Sequence, residues 1–333
     1  MKMGDGAGRT VILTGADGFT GREVAELLLG RGFAVRCLVR RKRVMRDMPK
    51  GAELFYGDVL DTASLEAIAD VPDAKNAAVI HAAAIISVKR RNQYCERVNV
   101  EGTRNLLAVC AKKGIGRFIY FSSVDAIAPS REAVAEPESL DAARLTTAYA
   151  RSKAVSAEDV MAARRSGMNC TILYPSAIAG PGDPRNGFIT QMIRIYLKLR
   201  PRLCVKGGYD FVDVRDVAEA ALNSVDAPSH DYILANEYAT VSDVFNMVAA
   251  HIGKKPVAAE LPLWALYPLA AAGGAVFALR RREPPITSEA VRLMGTRPLY
   301  DHSRAGRELG FLPRPLSETF CDMADYIAKE KRR

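Results

Sequence analysis

The sequence has few residues of the kind that bind metal ions. Its 333 residues include four histidines and six cysteines, and none of these forms a C-x-x-C pair or another spacing typical of a zinc site. The scattered cysteines also do not form the pattern of a disulfide-stabilised domain. We therefore expect no metal site, no disulfide framework and a reducing, cytoplasmic location. A signal-peptide-like apolar segment is also missing before the first predicted strand.

Acidic residues are fewer than basic ones, and this imbalance bears on the partners of the protein. Lysine and arginine number 47 against 38 acidic residues, which gives a formal net charge of +9. Such an excess favours anionic partners such as phosphates, nucleic acids or membrane surfaces. The basic clusters contain no interleaved aromatic residues or zinc ligands, so nucleic acid is not an expected partner.

Long apolar runs are absent except for one, at residues 261–279. It is uncharged, long enough to span a bilayer and followed by three arginines. Pro262, Pro268 and the Gly273–Gly274 pair interrupt it. We expect a helix of a substrate-binding lobe here, with peripheral membrane contact as the less favoured alternative and a membrane span as the least favoured one.

Short apolar segments alternate with helix-like segments through the first half of the chain. This alternation predicts an α/β fold with a doubly wound, Rossmann-like parallel sheet. After residue 180 the pattern becomes irregular, which predicts a smaller, mostly helical C-terminal substrate lobe. We expect the nucleotide-binding domain at 9–180 with 209–235 returning to it, and the substrate lobe at 181–208 and 236–330.

Three glycines, Gly15, Gly18 and Gly21, stand between the first predicted strand and the first predicted helix. In this position glycines make a tight turn, admit a pyrophosphate to the backbone and allow the helix to pack closely on the sheet. Amide groups at the helix N-terminus then meet the phosphates. The pattern predicts a dinucleotide site, with a plain structural turn as the alternative.

The second predicted strand indicates which dinucleotide is bound. NAD-selective sites commonly place an acidic residue at its end, whereas this chain has Arg40 and Arg41. Arginine pairs with a 2′-phosphate, so NADP(H) is favoured and NAD(H) is the alternative. Asp58 follows the third strand and is placed either to accept a hydrogen bond from the adenine amino group or to cap a helix.

Tyr149 and Lys153 are four residues apart and therefore share one face of a predicted helix. A lysine cation near a phenol favours the phenolate and would lower the pKa of the tyrosine. Such a tyrosine exchanges a proton with the oxygen of a ketone or alcohol while a nicotinamide exchanges hydride at the carbon. A serine at the end of the segment "YFSSV" would hold the same oxygen.

The motifs "TGADGFTG", "GDVLD", "NVEGTRNLL", "YARSK" and "FVDVRDVAEA" together resemble those of extended short-chain dehydrogenases/reductases of the NAD-dependent epimerase/dehydratase group. This resemblance covers nearly the whole chain. It implies that Ser123, Tyr149 and Lys153 are catalytic and that the protein is a homodimer. It also implies cofactor contacts from the residues around these motifs, namely Gly15, Asp17, Gly18, Phe19, Thr20, Gly21, Arg40, Arg41, Asp58, Val59, Ala82, Ala83, Asn99, Tyr149, Lys153, Tyr174, Pro175 and Ser176.

Asn99 in this set has an open alternative, as does His81, which lies outside it. His81 lines the cofactor or is a buried core residue, and Asn99 supports the active site or caps a helix. Tyr174 departs from the family pattern, which usually has arginine before the proline.

The substrate class depends on Tyr209, which stands where sugar-nucleotide enzymes of the family usually carry an arginine for the substrate diphosphate. This difference, with Arg40 and the segment "RREPPITSEAVRLM", resembles dihydroflavonol reductases and 3β-hydroxysteroid dehydrogenases. We expect an NADP(H)-dependent oxidoreductase for a bulky, apolar ketone, aldehyde or alcohol. The alternatives are a sugar-nucleotide epimerase or dehydratase that retains NAD, and a non-catalytic nucleotide sensor.

Overall fold

The computed structural model describes residues 6, 8–40, 48–128, 130, 132–198, 203–265, 291–292 and 294–330. Its strands, in chain order, are β1 (Thr10–Thr14), β2 (Ala34–Val39), β3 (Glu53–Tyr56), β4 (Ala78–His81), β5 (Arg117–Phe121), β6 (Cys170–Pro175), β7 (Ala177–Ala179), β8 (Leu203–Val205), β9 (Gly208–Asp213), β10 (Asp231–Leu234), β11 (Glu237–Thr240) and β12 (Ala259–Leu261). Seven of them form one sheet in the order β10-β6-β5-β4-β1-β2-β3, and every neighbouring pair in it is parallel.

The helices connect the strands of this sheet and complete the C-terminal part. They are α1 (Phe19–Gly30), α2 (Thr62–Ile68), α3 (Gln93–Glu96), α4 (Gly102–Lys113), α5 (Ala148–Arg165), α6 (Phe188–Lys198), α7 (Val214–Asn223), α8 (Val241–His251), α9 (Ser303–Leu309) and α10 (Leu316–Glu330). A π-helical turn at Arg97–Glu101 joins α3 to α4.

Apolar side chains cover both faces of the large sheet, as expected for a buried parallel sheet. Successive residues of a strand point to opposite faces, so Val11 and Leu13 join one core cluster with residues of α1 and α7. Ile12, between them, joins a second cluster with residues of α2, α4 and α5. The doubly wound α/β fold predicted from the sequence is therefore confirmed.

The C-terminal part of the chain builds a third core around a small mixed sheet. Strand β9 pairs parallel with β7 and antiparallel with β11, while β8 pairs with β12. Side chains of α6, α8 and α10 pack together in this region. Between them the chain returns to the large sheet, where α7 packs against α1 and β10 pairs with β6.

Residues 266–290 lie outside the described residues, and they include most of the apolar run at 261–279 and most of the segment "RREPPITSEAVRLM". Arg41 also lies outside them. Within the described ranges, no helix is long and apolar enough to cross a membrane.

Candidate active site

The order of the large sheet creates a crevice at the carboxyl ends of β1 and β4. Strand numbers increase outward from β1 on both sides, through β2 and β3 on one side and through β4 to β10 on the other. The strand order therefore reverses direction between β1 and β4, and ligands of open α/β sheets bind at such a switch point. The turns after β1 and β4 touch there, since the Ala83 amide donates to Thr14 Oγ1 at 3.2 Å. A Cβ on Gly15 would lie 2.6 Å from the Ala83 nitrogen, so only glycine fits this contact.

The glycine-rich turn has the geometry that a dinucleotide pyrophosphate requires. Gly15 has a φ of 77°, which a side chain would strain. A Cβ on Gly21 would lie 2.2 Å from the Gly15 oxygen, so this glycine allows α1 to start directly against the turn. Gly18 is the N-cap of α1 and provides no side-chain hydrogen bond to its amides. The turn thus leaves the uncapped amides at Phe19 and beyond for an anion.

The candidate adenosine pocket lies at the ends of β2 and β3. Arg40 directly follows β2, and Asp58 follows β3 by two residues. Asp58 Oδ1 accepts from the Leu60 amide at 3.0 Å, while Asp61 caps α2 by accepting from the Ala63 amide. The helix-capping alternative for Asp58 is therefore wrong, because Asp61 fills that role. The neighbouring Val59 is buried in the core.

His81, at the end of β4, is a fully buried histidine held by two threonines. Its Nδ1 lies 2.6 Å from Thr14 Oγ1 and its Nε2 lies 3.0 Å from Thr103 Oγ1. Burial, and to a lesser degree the charge of Lys153, lowers the pKa of His81 to about 3. The ring is thus neutral at physiological pH, and the interpretation as a core histidine is the one the contacts support.

Asn99 lies buried in the π-helical turn and ties three segments together. Its side-chain oxygen accepts from the Ile85 amide at 2.8 Å, and its amide nitrogen donates to Ser152 Oγ at 2.8 Å. Its backbone oxygen accepts from Ser156 Oγ at 2.9 Å. Asn99 therefore does not cap a helix but joins the loop after β4 to α5, the helix that carries Tyr149 and Lys153.

Tyr149, Ser123 and Lys153 meet at the carboxyl end of β5. Helix α5 starts at Ala148 because Thr147 caps it, accepting from the Ala150 amide. Tyr149 lies in the first turn, where burial has the largest effect on the pKa of its hydroxyl and a hydrogen bond from Ser123 opposes that effect. Ser123 follows β5 and also accepts from the backbone amide two residues later, at 3.2 Å. The structure thus brings together the three residues expected to be catalytic.

Lys153 is buried one helical turn after Tyr149. Its ammonium donates to the Phe121 carbonyl oxygen and lies 4.7 Å from the centre of the Tyr120 ring. Burial lowers the pKa of Lys153 to about 7, because the charged form is poorly solvated there. At neutral pH the side chain is therefore divided between the charged and the neutral form.

The pKa of Tyr149 is raised above its usual value of 10, chiefly by burial and next by the charge of Asp125. The spacing of Tyr149 and Lys153 predicts that the lysine lowers this pKa. This prediction is wrong for the protein without a bound ligand. The Lys153 ammonium donates to the Phe121 carbonyl oxygen and is only partly charged at neutral pH. Tyr149 is consequently protonated at neutral pH and suited to donate a proton.

Asp125 was not singled out from the sequence, yet it stands two residues after Ser123, at the surface, and its charge acts on Tyr149. Burial, and next the charge of Asp125, raises the pKa of Tyr149, of Tyr209 in β9 and of Tyr300 before α9. The surroundings also raise the pKa of Asp125 itself through desolvation. We call these four residues the tyrosine cleft. The serine pair before Asp125 was the only sequence signal that could have indicated it.

The chain after β6 was expected to contact the nicotinamide. Pro175 ends β6, and the Ser176 amide donates to the Leu234 oxygen at 3.0 Å, which places both at the same edge of the sheet as Ser123. The Tyr174 side chain, in contrast, is fully buried in the core beneath the sheet. The prediction that Tyr174 contacts the cofactor can therefore apply only to its backbone, because the ring points into the core.

Comparison with known proteins agrees with this geometry. The model of the NAD dependent epimerase/dehydratase family matches residues 11–235. The chain belongs to this family. It is 30% identical over 326 residues to sterol demethylase protein B of Methylococcus capsulatus, covering 94% of this chain and 96% of that protein. It is 28% identical to a putative dihydroflavonol 4-reductase of Synechocystis, covering 95% and 93%.

A solved structure shows the same fold over nearly the whole chain. The crystal structure of gox2253 superposes with a TM-score of 0.81 at 28% sequence identity, covering 97% of this chain and 99% of that one. As a member of the family, the chain has an NAD(P)-binding fold, and the uncapped glycine turn fits the pyrophosphate of such a cofactor.

Proposed function

We propose that this protein is an NADP(H)-dependent oxidoreductase that interconverts a carbonyl and an alcohol on a bulky, apolar molecule. The observation that carries the proposal is the environment of Tyr209, at the position where the family's sugar-nucleotide enzymes usually carry an arginine. Its ring packs edge-on against Phe188 at 6.3 Å and against Phe211 at 5.9 Å between centroids. An aromatic wall of this kind favours an apolar substrate.

Charge in the tyrosine cleft supports the same substrate class. Burial raises the pKa of Tyr209, and the charge of Asp125 adds to this effect. A substrate diphosphate bound beside Tyr209 would therefore meet a negative charge where it needs a cation. A neutral ketone or alcohol would meet no such repulsion.

The proposed preference for NADP(H) rests on Arg40. This residue directly follows Val39, the last residue of β2, which pairs with Tyr56 of β3. The 2′-phosphate of an adenosine bound at these strand ends would lie next to the residue after β2. A guanidinium there pairs with a phosphate in a forked geometry, whereas a carboxylate would repel it.

The residues of the site have separate tasks in the proposed reaction. A bound nicotinamide supplies or accepts the hydride. Ser123 donates a hydrogen bond to the substrate oxygen, and Tyr149 gives its proton to that oxygen during reduction. Lys153 holds the end of β5 through the Phe121 carbonyl and, when charged, favours loss of the Tyr149 proton. The raised pKa of Tyr149 suits the direction of carbonyl reduction.

The test begins with fluorescence titration of the purified protein with NADPH and NADH. We expect NADPH to bind at least tenfold more tightly, a difference of about 1.4 kcal/mol, and Arg40→Gln to remove most of it. A panel of bulky ketones is then assayed for NADPH oxidation. Tyr149→Phe is the control: it should bind the cofactor but lose at least ~10²-fold of the turnover rate.

Other outcomes point to the alternatives. Tightly held NAD in the purified protein, together with conversion of a UDP-sugar, would establish the epimerase or dehydratase interpretation. Turnover by Tyr149→Phe at the parental rate would contradict the assigned chemistry and favour a nucleotide-binding protein without this catalytic residue.

A further inference from the structure

The glycine-rich turn contains a carboxylate at the point where a phosphate is expected. Asp17 directly precedes Gly18, the N-cap of α1, and its side chain is 10% exposed. A negative charge in this position would repel the pyrophosphate of a dinucleotide. The site therefore needs a cation to offset Asp17.

The cation comes from the C-terminal part of the chain. Arg185 Nη2 lies 2.5 Å from Asp17 Oδ2, although 168 residues separate them in sequence. The Arg185 side chain is 38% exposed. A guanidinium has five N–H donors, so one contact to Asp17 leaves others for a second anionic group at the same place.

The loop that carries Arg185 is built to hold it in position. It connects β7 to α6, and the buried Asp183 organises it. Asp183 Oδ1 accepts from the Arg185 amide at 3.0 Å, and Oδ2 accepts from the Gly187 amide and from Thr190 Oγ1 at 2.7 Å. Asn186, next to Arg185, has a φ of 50°, a left-handed conformation that sharpens the turn.

We propose that Arg185 is a ligand of the cofactor pyrophosphate, supplied to the glycine-rich turn from the loop before α6. The inference rests on the proposed dinucleotide site and assigns it a residue that the glycine motif does not contain. In it, the guanidinium bridges Asp17 and a phosphate oxygen, and these charge-assisted hydrogen bonds fix the loop over the cofactor. The loop leads into α6, whose first residue is Phe188, so cofactor binding also positions the aromatic wall.

The opposing interpretation is that Arg185 only pairs with Asp17 and never touches a ligand. The two interpretations predict opposite effects of Asp17→Asn on the affinity for the cofactor. If the pair is merely structural, Arg185→Gln and Asp17→Asn both loosen the turn and both weaken binding. If Arg185 holds the phosphate, Arg185→Gln weakens binding. Asp17→Asn, in contrast, keeps an oxygen acceptor for the guanidinium, removes a repelling charge and tightens binding.

The experiment measures the affinities of parent and variants for ADP-ribose by calorimetry and for NADPH and NADH by fluorescence. ADP-ribose carries the pyrophosphate but no nicotinamide, so it tests Arg185 independently of the redox reaction. We expect Arg185→Gln to weaken all three ligands by about tenfold or more, Asp17→Asn to tighten them about threefold, and adenosine to bind all variants equally. Arg194→Gln is the matched control, since Arg194 of α6 pairs with Glu330 instead.

Unchanged ADP-ribose affinity in Arg185→Gln, or weakening by both Arg185→Gln and Asp17→Asn, would overturn the proposal. Thermal unfolding of each variant identifies a loss of binding caused by misfolding, and Arg185→Lys, which keeps the charge, should then restore part of the affinity. If the parent binds ADP-ribose but neither NADPH nor NADH, the proposed redox function is wrong. The role of Arg185 is then still tested by the ADP-ribose affinities of the parent and Arg185→Gln. If the parent binds no ADP-ribose, both fail.

Discussion

Replacing Lys153 with methionine should stabilise the protein while abolishing its turnover. Burial lowers the pKa of Lys153 from 10.5 to about 7. At pH 7 the Lys153 side chain is therefore fully protonated in the unfolded chain but protonated in only about half of the native molecules. This difference costs the native state about 4 kcal/mol at pH 7. Methionine has a similar length and no charge, and it escapes this cost.

The gain is partly offset by the lost hydrogen bond to the Phe121 carbonyl, a loss of about 1–2 kcal/mol. The net stabilisation of Lys153→Met is thus about 2–3 kcal/mol at pH 7, or about 3–4 °C in Tm for a chain of this length. As pH rises from 7 towards 10.5, the unfolded lysine also loses its proton, and the penalty disappears. The advantage of the variant should therefore be largest at and below pH 7 and close to zero by about pH 9.5.

Thermal unfolding followed by circular dichroism at pH 6, 7 and 9.5 measures this dependence. Lys112→Met is the matched control, because Lys112 is 67% exposed and pairs with Glu66 at the surface; its effect should be small and differ little across the three pH values. A Lys153→Met variant that is less stable than the parent at pH 6 would refute the reasoning. So would an advantage that fails to shrink at pH 9.5.

Two further substitutions test the site. Asp125→Asn removes the charge that, after burial, contributes most to the raised pKa of Tyr149. The decrease of kcat at high pH, where Tyr149 loses its proton, should therefore begin at a lower pH than in the parent. An unchanged pH profile of kcat would show that Asp125 does not act on Tyr149. Gly21→Ala puts a Cβ 2.2 Å from the Gly15 oxygen and should cost about 1–3 kcal/mol of stability and weaken cofactor binding. Its control, Gly30→Ala, meets nothing within 4 Å and should be neutral or stabilising by up to about 1 kcal/mol in thermal unfolding.

The large sheet was predictable because its strands are short, apolar and separated by helical periodicity. The glycine turn was equally predictable, since a strand before it and a helix after it limit what Gly15 and Gly21 can do. Strand β10 is harder to recognise because its four residues at Asp231–Leu234 begin with a charged residue and leave only three apolar residues before the next turn. The π-helical turn at Arg97–Glu101 has no signature in hydrophobic spacing.

The parts of the site that escaped sequence analysis depend on contacts between distant segments. Arg185 and Asp17 are 168 residues apart, and nothing in the composition of either segment indicates that they meet. The charge of Asp125 acts on tyrosines from three separate elements, which only the folded chain brings together. Tyr149 and Lys153 were found because they share a helix face, and the resemblance to the family singled out Ser123, which follows β5.

The assignment of Lys153 shows how burial can reverse an argument from neighbouring charges. Spacing alone suggested that a lysine cation lowers the pKa of Tyr149. The buried lysine instead has a lowered pKa of its own, to about 7, and is hydrogen-bonded to the end of β5. Desolvation acts on both groups and opposes the charged form of each, which the linear sequence does not reveal.

The central claim is that this site carries out net reduction with an exchangeable NADPH. It is tested most directly by incubating the protein with a bulky ketone and NADPH deuterated at the transferable position, then analysing the products by mass spectrometry. We predict one deuterium at the carbinol carbon and one NADP⁺ formed for each alcohol. Conversion of a substrate with no net oxidation of NADPH would contradict the claim and identify an epimerase or dehydratase.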